Sequence, residues 1–408
     1  TKGQLLRLGF SDAERSLRWL DDVGPAAPDL VPLLARTADP DHAVAGLVRL
    51  LEAAGDDAAQ LLSRVGDDEG LATRLFAVLG ASEALSDHLA RHPDQWRELD
   101  DPTLECSRPA AYAVREAVLR ALGADPGDPV PVAQGDDAAL VDVLRVEYRR
   151  VLLRLAARDL AHGAGVDDVA AELSDLAAAT LEGGLAIARQ RMGDKALLAR
   201  LGVVAMGKCG AHELNYVSDV DVIFVYEPAD EAGDDHAANR AASQLAAHLM
   251  RICSEPTAEG EIWPVDANLR PEGKSGPLVR TLASHQGYYE KWAKTWEFQA
   301  LLKARPVAGD IELGRAYVEM VAPMVWSAAE RDGFVEDTQA MRRRVLDHIP
   351  AKEAERQLKL GAGGLRDVEF AVQLLQMVHG RADETIRAPT TLSALADLTR
   401  GGYIGRED

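Results

Sequence analysis

The chain has 408 residues, 47% of them apolar, which is material for two or three domains with real hydrophobic cores. Its 45 Lys and Arg against 66 Asp and Glu leave a net charge of −21, which disfavours binding duplex nucleic acid over a broad face or polymerising it. Three scattered cysteines, Cys106, Cys209 and Cys253, offer neither a disulfide framework nor a sulfur-rich zinc site, and no run approaches the ~20 apolar residues of a membrane span. A reducing, cytoplasmic setting is expected. The chain begins without Met and stops at a polar tail, 401–408, just after a helical pattern, so it reads as a piece of something longer.

Residues 1–195 are rich in Ala and Leu and punctuated by Pro and Gly, the texture of helices joined by loops. Leu140, Leu144, Tyr148, Val151, Leu152 and Leu155 share one helical face, and Val169, Leu173, Leu176, Thr180 and Leu185 repeat the pattern. At Leu201 the texture changes. Residues 201–207 and 220–226 are short β-branched runs of strand length, 235–255 is helical, and 261–269 reads as a third strand. From Arg280 onward the pattern is helical again, with Tyr288, Trp292 and Trp296 in one segment, then 311–326, 334–349 and 365–379. The expected class is α+β, a sheet domain embedded in a mostly helical chain. The expected organisation is a helical region over 1–130, a catalytic domain with leading helices over 131–310, and a helical region over 311–408, with 126–137 as the flexible connector.

Asp219 and Asp221 stand two apart at the start of a strand, so the pleat aims both carboxylates from one face. Such a pair on a solvated edge strand means little. Here four apolar residues follow directly, and a buried strand that opens with two acids needs a counter-charge. Asp266, inside the expected strand 262–269, is a third acid in need of a partner. If the two strands are neighbours, the three carboxylates converge. They would then hold two Mg²⁺ ions ~4 Å apart for in-line phosphoryl or nucleotidyl displacement.

Groups suited to phosphate surround these acids: Gly207 and Gly210 for close backbone approach, Ser218 for a hydroxyl donor, Arg270 for a bidentate fork, and Lys303 and Arg305 if their segment is extended. Gly361-Ala-Gly-Gly before a helix is either a second anion site or, more simply, a tight interhelical turn. Asp367 and Glu369 read as dipole complement and solvent face. Trp292 and Trp296, four apart, read as core, and neither His212 nor His285 has metal-ligand spacing to another His or Cys.

Four stretches, MGKCGAHELNYVSDVDVIFVY, VDANLRPEGKSGPLV, WEFQALLKARPVAGD and GAGGLRDVEFAVQLLQ, together resemble the signature of the bacterial glutamine synthetase adenylyltransferases, in that family's order and approximate spacing. These are two-module members of the polymerase-β-like nucleotidyltransferase superfamily. The resemblance covers residues 201–380 and implies that fold, Mg²⁺ held by Asp219, Asp221 and Asp266, an adenine nucleotide, glutamine synthetase as protein substrate, and a PII-type signal protein as a further partner. One module of the family attaches AMP from ATP to a tyrosine of glutamine synthetase; the other removes it by phosphorolysis, releasing ADP. SGPLV at 275–279 and GAGGLRDVEF at 361–370 are more similar to the removing module. Ala211, Val217 and Asn268 stand where the family usually has Gly, a small polar residue and Arg, so a phosphate-binding role at position 268 is in doubt. The competing expectations are the forward adenylyltransferase and a regulatory module that binds nucleotide or a signal protein without chemistry.

Overall fold

The computed structural model describes residues 1–230, 234–347, 349–350, 352 and 356–405. Grouped by packing, these form two compact units, one of residues 1–110 with 145–172, the other of residues 111–144 with 173–408. Residues 348, 351 and 353–355 and the end of the polar tail, 406–408, lie outside the described residues.

The first unit is helical. Its helices start where an acid or hydroxyl can take an orphan backbone donor: Asp12 accepts from Arg15 N, Asp39 from His42 N, Asp68 from Leu71 N and Ser82 from Leu85 N. Behind those caps, Leu34, Leu47, Leu50, Leu61, Leu71, Leu75 and Phe76 are buried in one continuous core, joined by Leu153 and Ala157. Each such side chain contributes about 1.5–3 kcal/mol on burial.

The second unit holds a five-stranded mixed sheet and is α+β as expected. Strands β1 (Ala199–Ala205) and β2 (Val220–Pro228) pair antiparallel, and β1 pairs antiparallel with β5 (Arg305–Gly309). Two short strands, β3 (Val265–Asp266) and β4 (Val279–Arg280), both run parallel to β2, β3 at its start and β4 at its middle. Helix Asp235–Ser254 packs on β1 and β2, and helix Ile311–Ser327 on β1 and β5. The strands are apolar along nearly their whole length because both faces are covered. Val204, Met206, Ile223 and Val225 join Tyr289, Phe298, Leu313 and Tyr317 in one core.

Several expectations change here. The strand expected over 262–269 pairs with β2 only at Val265 and Asp266. Pro264 precedes that pairing, and beyond it the chain turns at once, with Asn268 N donating to the Asp266 carboxylate and Arg270 N to Ala267 O. The segment carrying Tyr288, Trp292 and Trp296 is two helices, Leu282–Lys291 and Thr295–Leu301, with the break after Trp292. Residues 126–137 are pinned to their own unit: Ala133 N donates to Ala186 O, Gln134 N to Leu122 O, and the Arg189 guanidinium to Pro131 O. Among the described residues no helix is long and apolar enough to cross a membrane.

Candidate active site

Asp219 ends the loop that leads into β2, Asp221 is the second residue of that strand, and Asp266 closes β3 directly opposite Asp221 in the parallel register. Each of the three offers a carboxylate oxygen within 4.8 Å of the others. Asp219 is exposed, and the other two are half-buried. Burial first, then the charges of Asp219 and Asp266, push the Asp221 carboxyl up to about 6, against the pull of Arg366 and Lys359. A hard divalent cation suits this all-oxygen donor set and would relieve the repulsion within it.

The loop under the acids depends on two glycines. Gly207 has φ +53°, and a Cβ there would sit 2.3 Å from the Asp221 carboxylate. A Cβ on Gly210 would meet Lys303 O at 2.0 Å. Ala211, by contrast, has φ −82°, so a side chain is accommodated there.

A cleft of about 260 Å³ opens over the carboxylates, lined by Gly207, Lys208, Ser218, Asp219, Asp221, Trp296, Lys303, Lys359, Arg366 and Glu369 among others. The expected phosphate groups divide. Gly207, Ser218 and Lys303 reach this lining, whereas Gly210, Arg270 and Arg305 do not. Arg270 donates to Gly276 O and Ala267 O, bracing the turn after Asp266. Arg305 donates to Gly210 O and Cys209 O, fixing the loop that carries Gly207. Lys303 is 4% exposed, and its ammonium lies 2.5 Å from the carboxylates of both Glu213 and Glu369.

Glu369 therefore faces the cleft and not solvent. Burial alone would raise its carboxyl, but Lys303, Arg366 and Lys208 outweigh that and hold it below the usual range. Glu213 also accepts from the backbone and hydroxyl of Thr391, tying the start of helix Thr391–Arg400 to the same cluster. The Gly361–Gly364 segment is a tight turn whose glycines donate locally: Gly361 N meets Gln357 O, Gly363 N meets Asp367, Gly364 N meets Gly361 O, and just beyond it Arg366 N meets Lys359 O. Asp367 is further held by Arg342. Trp292 is 74% exposed and Trp296 lines the cleft, so the expected core pair is not core. Sequence reasoning passed over Lys208, Lys359, Arg366, Glu213 and Glu369 as functional groups. Lys208 was visible beside Gly207, and Arg366 just after the glycine-rich turn, while nothing local marked Lys359.

The family model for glutamate-ammonia ligase adenylyltransferase matches residues 72–320, and that for GlnD PII-uridylyltransferase matches residues 339–408. Curated relatives described as bifunctional glutamine synthetase adenylyltransferase/adenylyl-removing enzyme align along the whole chain. The one from Streptomyces avermitilis is 57% identical, covering 100% of this chain and 40% of its own length. The one from Mycolicibacterium smegmatis is 49% identical, covering 98% of this chain and 39% of its own. The chain thus spans about two fifths of the length of the curated relatives it matches.

Proposed function

Because the chain belongs to the glutamate-ammonia ligase adenylyltransferase family, we propose that it is a nucleotidyltransferase module that removes AMP from an adenylylated tyrosine of glutamine synthetase by Mg²⁺-dependent phosphorolysis, yielding ADP. The observation that carries this is the meeting of Asp219, Asp221 and Asp266, the first two of which line one cleft together with Lys208, Lys359 and Arg366. Acids beside cations in one small cleft suit a substrate that is itself a metal-bound phosphate ester. The direction of reaction rests on SGPLV at 275–279 and GAGGLRDVEF at 361–370, which are more similar to the removing module.

In this proposal the three carboxylates would hold Mg²⁺, which would supply Lewis acidity for the phosphoryl transfer. Gly207 brings its backbone against Asp221 and fixes where that carboxylate sits. Arg305 holds Cys209 and Gly210 from behind, and Arg270 holds the turn after Asp266, so the acids keep their relative positions as substrate enters. Trp296 and Phe370 line the cleft and exclude water from its apolar side. The match over residues 339–408 makes a PII-type signal protein a reasonable further partner, and we place the reaction in the cytoplasm.

The test is direct. The chain, with Mg²⁺ and inorganic phosphate, is expected to release ADP from adenylylated glutamine synthetase at a rate that depends on phosphate. It is expected not to load AMP from ATP onto the unmodified enzyme. As the control, Asp221→Asn should lower turnover by about 10³-fold, about 4 kcal/mol in the barrier, with the melting temperature unchanged or raised because one of three crowded charges is gone. AMP transfer from ATP without phosphate-dependent ADP release would reverse the direction.

A further inference from the structure

Two of the three cations expected beside the carboxylates, Arg270 and Arg305, spend their donors on backbone carbonyls, and the third, Lys303, is locked between Glu213 and Glu369. Three other cations line the cleft: Lys208, on the loop turn that follows Gly207; Lys359, just before the glycine-rich turn; and Arg366, in the first turn of helix Leu365–His379. The turn binds the last two together, since Arg366 N donates to Lys359 O at 2.9 Å. The Arg366 guanidinium lies over the Phe370 ring, 5.7 Å from its centroid, and its Nε is 3.7 Å from Glu369, which already serves Lys303.

We infer that Lys208, Lys359 and Arg366 form the seat for a free phosphate dianion, placed beside the carboxylate floor in position to attack the adenylyl phosphorus. Burial, and then Lys359, hold the Lys208 ammonium below its usual range against the opposing pull of Glu369 and Glu213. Lys359 and Arg366 also line the same cleft as Asp219 and Asp221. A dianion answers both conditions, because it neutralises the crowded cations and lies next to where the metal ligands converge.

This seat deepens the proposed removal reaction and rests on it. Hydrogen phosphate forms a new bond from one of its oxygens to the adenylyl phosphorus. The bond from that phosphorus to the tyrosyl oxygen breaks, and the proton of hydrogen phosphate ends on the departing phenolate. The products are ADP and the unmodified tyrosine side chain of the protein, so atoms and charge balance. The former attacker becomes the β-phosphate of ADP, still on the seat. The same chemistry could serve the outer phosphates of ATP in the forward direction, and the two sources are separable.

Lys359→Met and Arg366→Met are the test variants, with Lys359 exposed and so removable without loss of fold. In phosphate-dependent ADP release, each is expected to raise the KM for inorganic phosphate by about tenfold or more while the KM for adenylylated glutamine synthetase stays within about twofold. In calorimetry with nucleotide and Mg²⁺, each should lose about tenfold in ADP affinity and keep AMP affinity, because only ADP reaches the seat. An unchanged phosphate KM in both variants overturns the inference, as does an equal loss of ADP and AMP. A shift in ATP affinity with phosphate KM unchanged overturns it too, and assigns the cations to ATP. If the parent chain releases no ADP, the removal reading fails by itself, and the ADP-against-AMP comparison still decides whether these residues seat the outer phosphate.

Discussion

The two units handle charge in opposite ways. In the helical unit, Arg150, Arg154 and Arg158 form a stripe at four-residue steps on helix Asp137–His162, and each meets a carboxylate: Arg150 with Glu147 and Glu98, Arg154 with Glu98 and Asp101, Arg158 with Glu172. Opposite charges alternate, and the Asp101 carboxyl is held down at about 2, first by Arg154 and then by Thr103. At the cleft of the sheet unit, beside pairs such as Lys303 with Glu213 and Glu369, like also stands beside like. Asp219, Asp221 and Asp266 crowd one another, and Lys208 and Lys359 do the same a short way off. A compensated lattice needs nothing from outside, whereas segregated acids and cations are satisfied by a metal ion and an anion, which is how a folded protein stores affinity for a metal–phosphate substrate.

The largest effect that would break this contrast is on stability. Arg158 and Glu172 are both nearly fully buried. Arg158→Met takes its closest guanidinium from the buried Glu172 carboxylate and should cost about 3–5 kcal/mol, whereas Arg158→Met combined with Glu172→Leu should recover most of that loss. Denaturant unfolding of the three proteins decides it. A single variant within about 1 kcal/mol of the parent would mean that the lattice is not self-compensated, and the distinction from the cleft would collapse.

How much of this was legible in sequence follows from length and local pattern. β1, β2 and helix Asp235–Ser254 were readable because each carries an unbroken apolar run or a sustained helical period. β4 has two residues, too few to show a period. β5 contains Pro306, which demotes a strand pattern. It is tolerated because β5 pairs only with β1 among the named strands, and the ladder slips between Val203 and Val204, where Pro306 pairs. The three acids were legible because charge in an apolar strand is anomalous whatever its partners. The cations were not, since a Lys or Arg on a loop looks the same whether it faces solvent or a cleft. Only tertiary placement separates Lys359 from Arg305.

A mid-sized effect concerns the buried neutral imidazole of the sheet unit. His285 donates from Nδ1 to Thr281 O and stacks among Tyr289 and Tyr317, and burial, with Arg280 adding to it, pushes its pKa down to about 4. Above about pH 6.5 the ring is neutral folded or unfolded and contributes no pH dependence. As pH falls from 6.5 towards 4, the unfolded chain takes up a proton that the folded one refuses, so stability is lost across that window. By pH 5 the loss from this one group is about 2 kcal/mol. His285→Phe should abolish it, so melts of variant and parent between pH 7 and 5 should diverge, with the parent falling faster. Parallel curves would show that the ring is charged or solvated in the fold.

The smallest effect sharpens the contrast at its edge. Arg154 belongs to the same stripe as Arg158, but its side chain is 30% exposed and its partners Glu98 and Asp101 are 27% and 31% exposed. Water already screens such a pair, so Arg154→Met should cost no more than about 1 kcal/mol, despite the three hydrogen bonds that Arg154 makes to Glu98 and Asp101. Because the attraction is Coulombic and solvent-facing, the cost should shrink further in about 0.5 M salt, where the Debye length falls below the reach of the outer charges. The Arg158→Met cost should persist in the same buffer, since no mobile ion enters between Arg158 and Glu172. Denaturant curves at two salt concentrations read both variants side by side. Equal salt sensitivity would place the two arginines in one environment, and burial would no longer explain why the stripe holds the unit together at its inner end and merely decorates it at the outer.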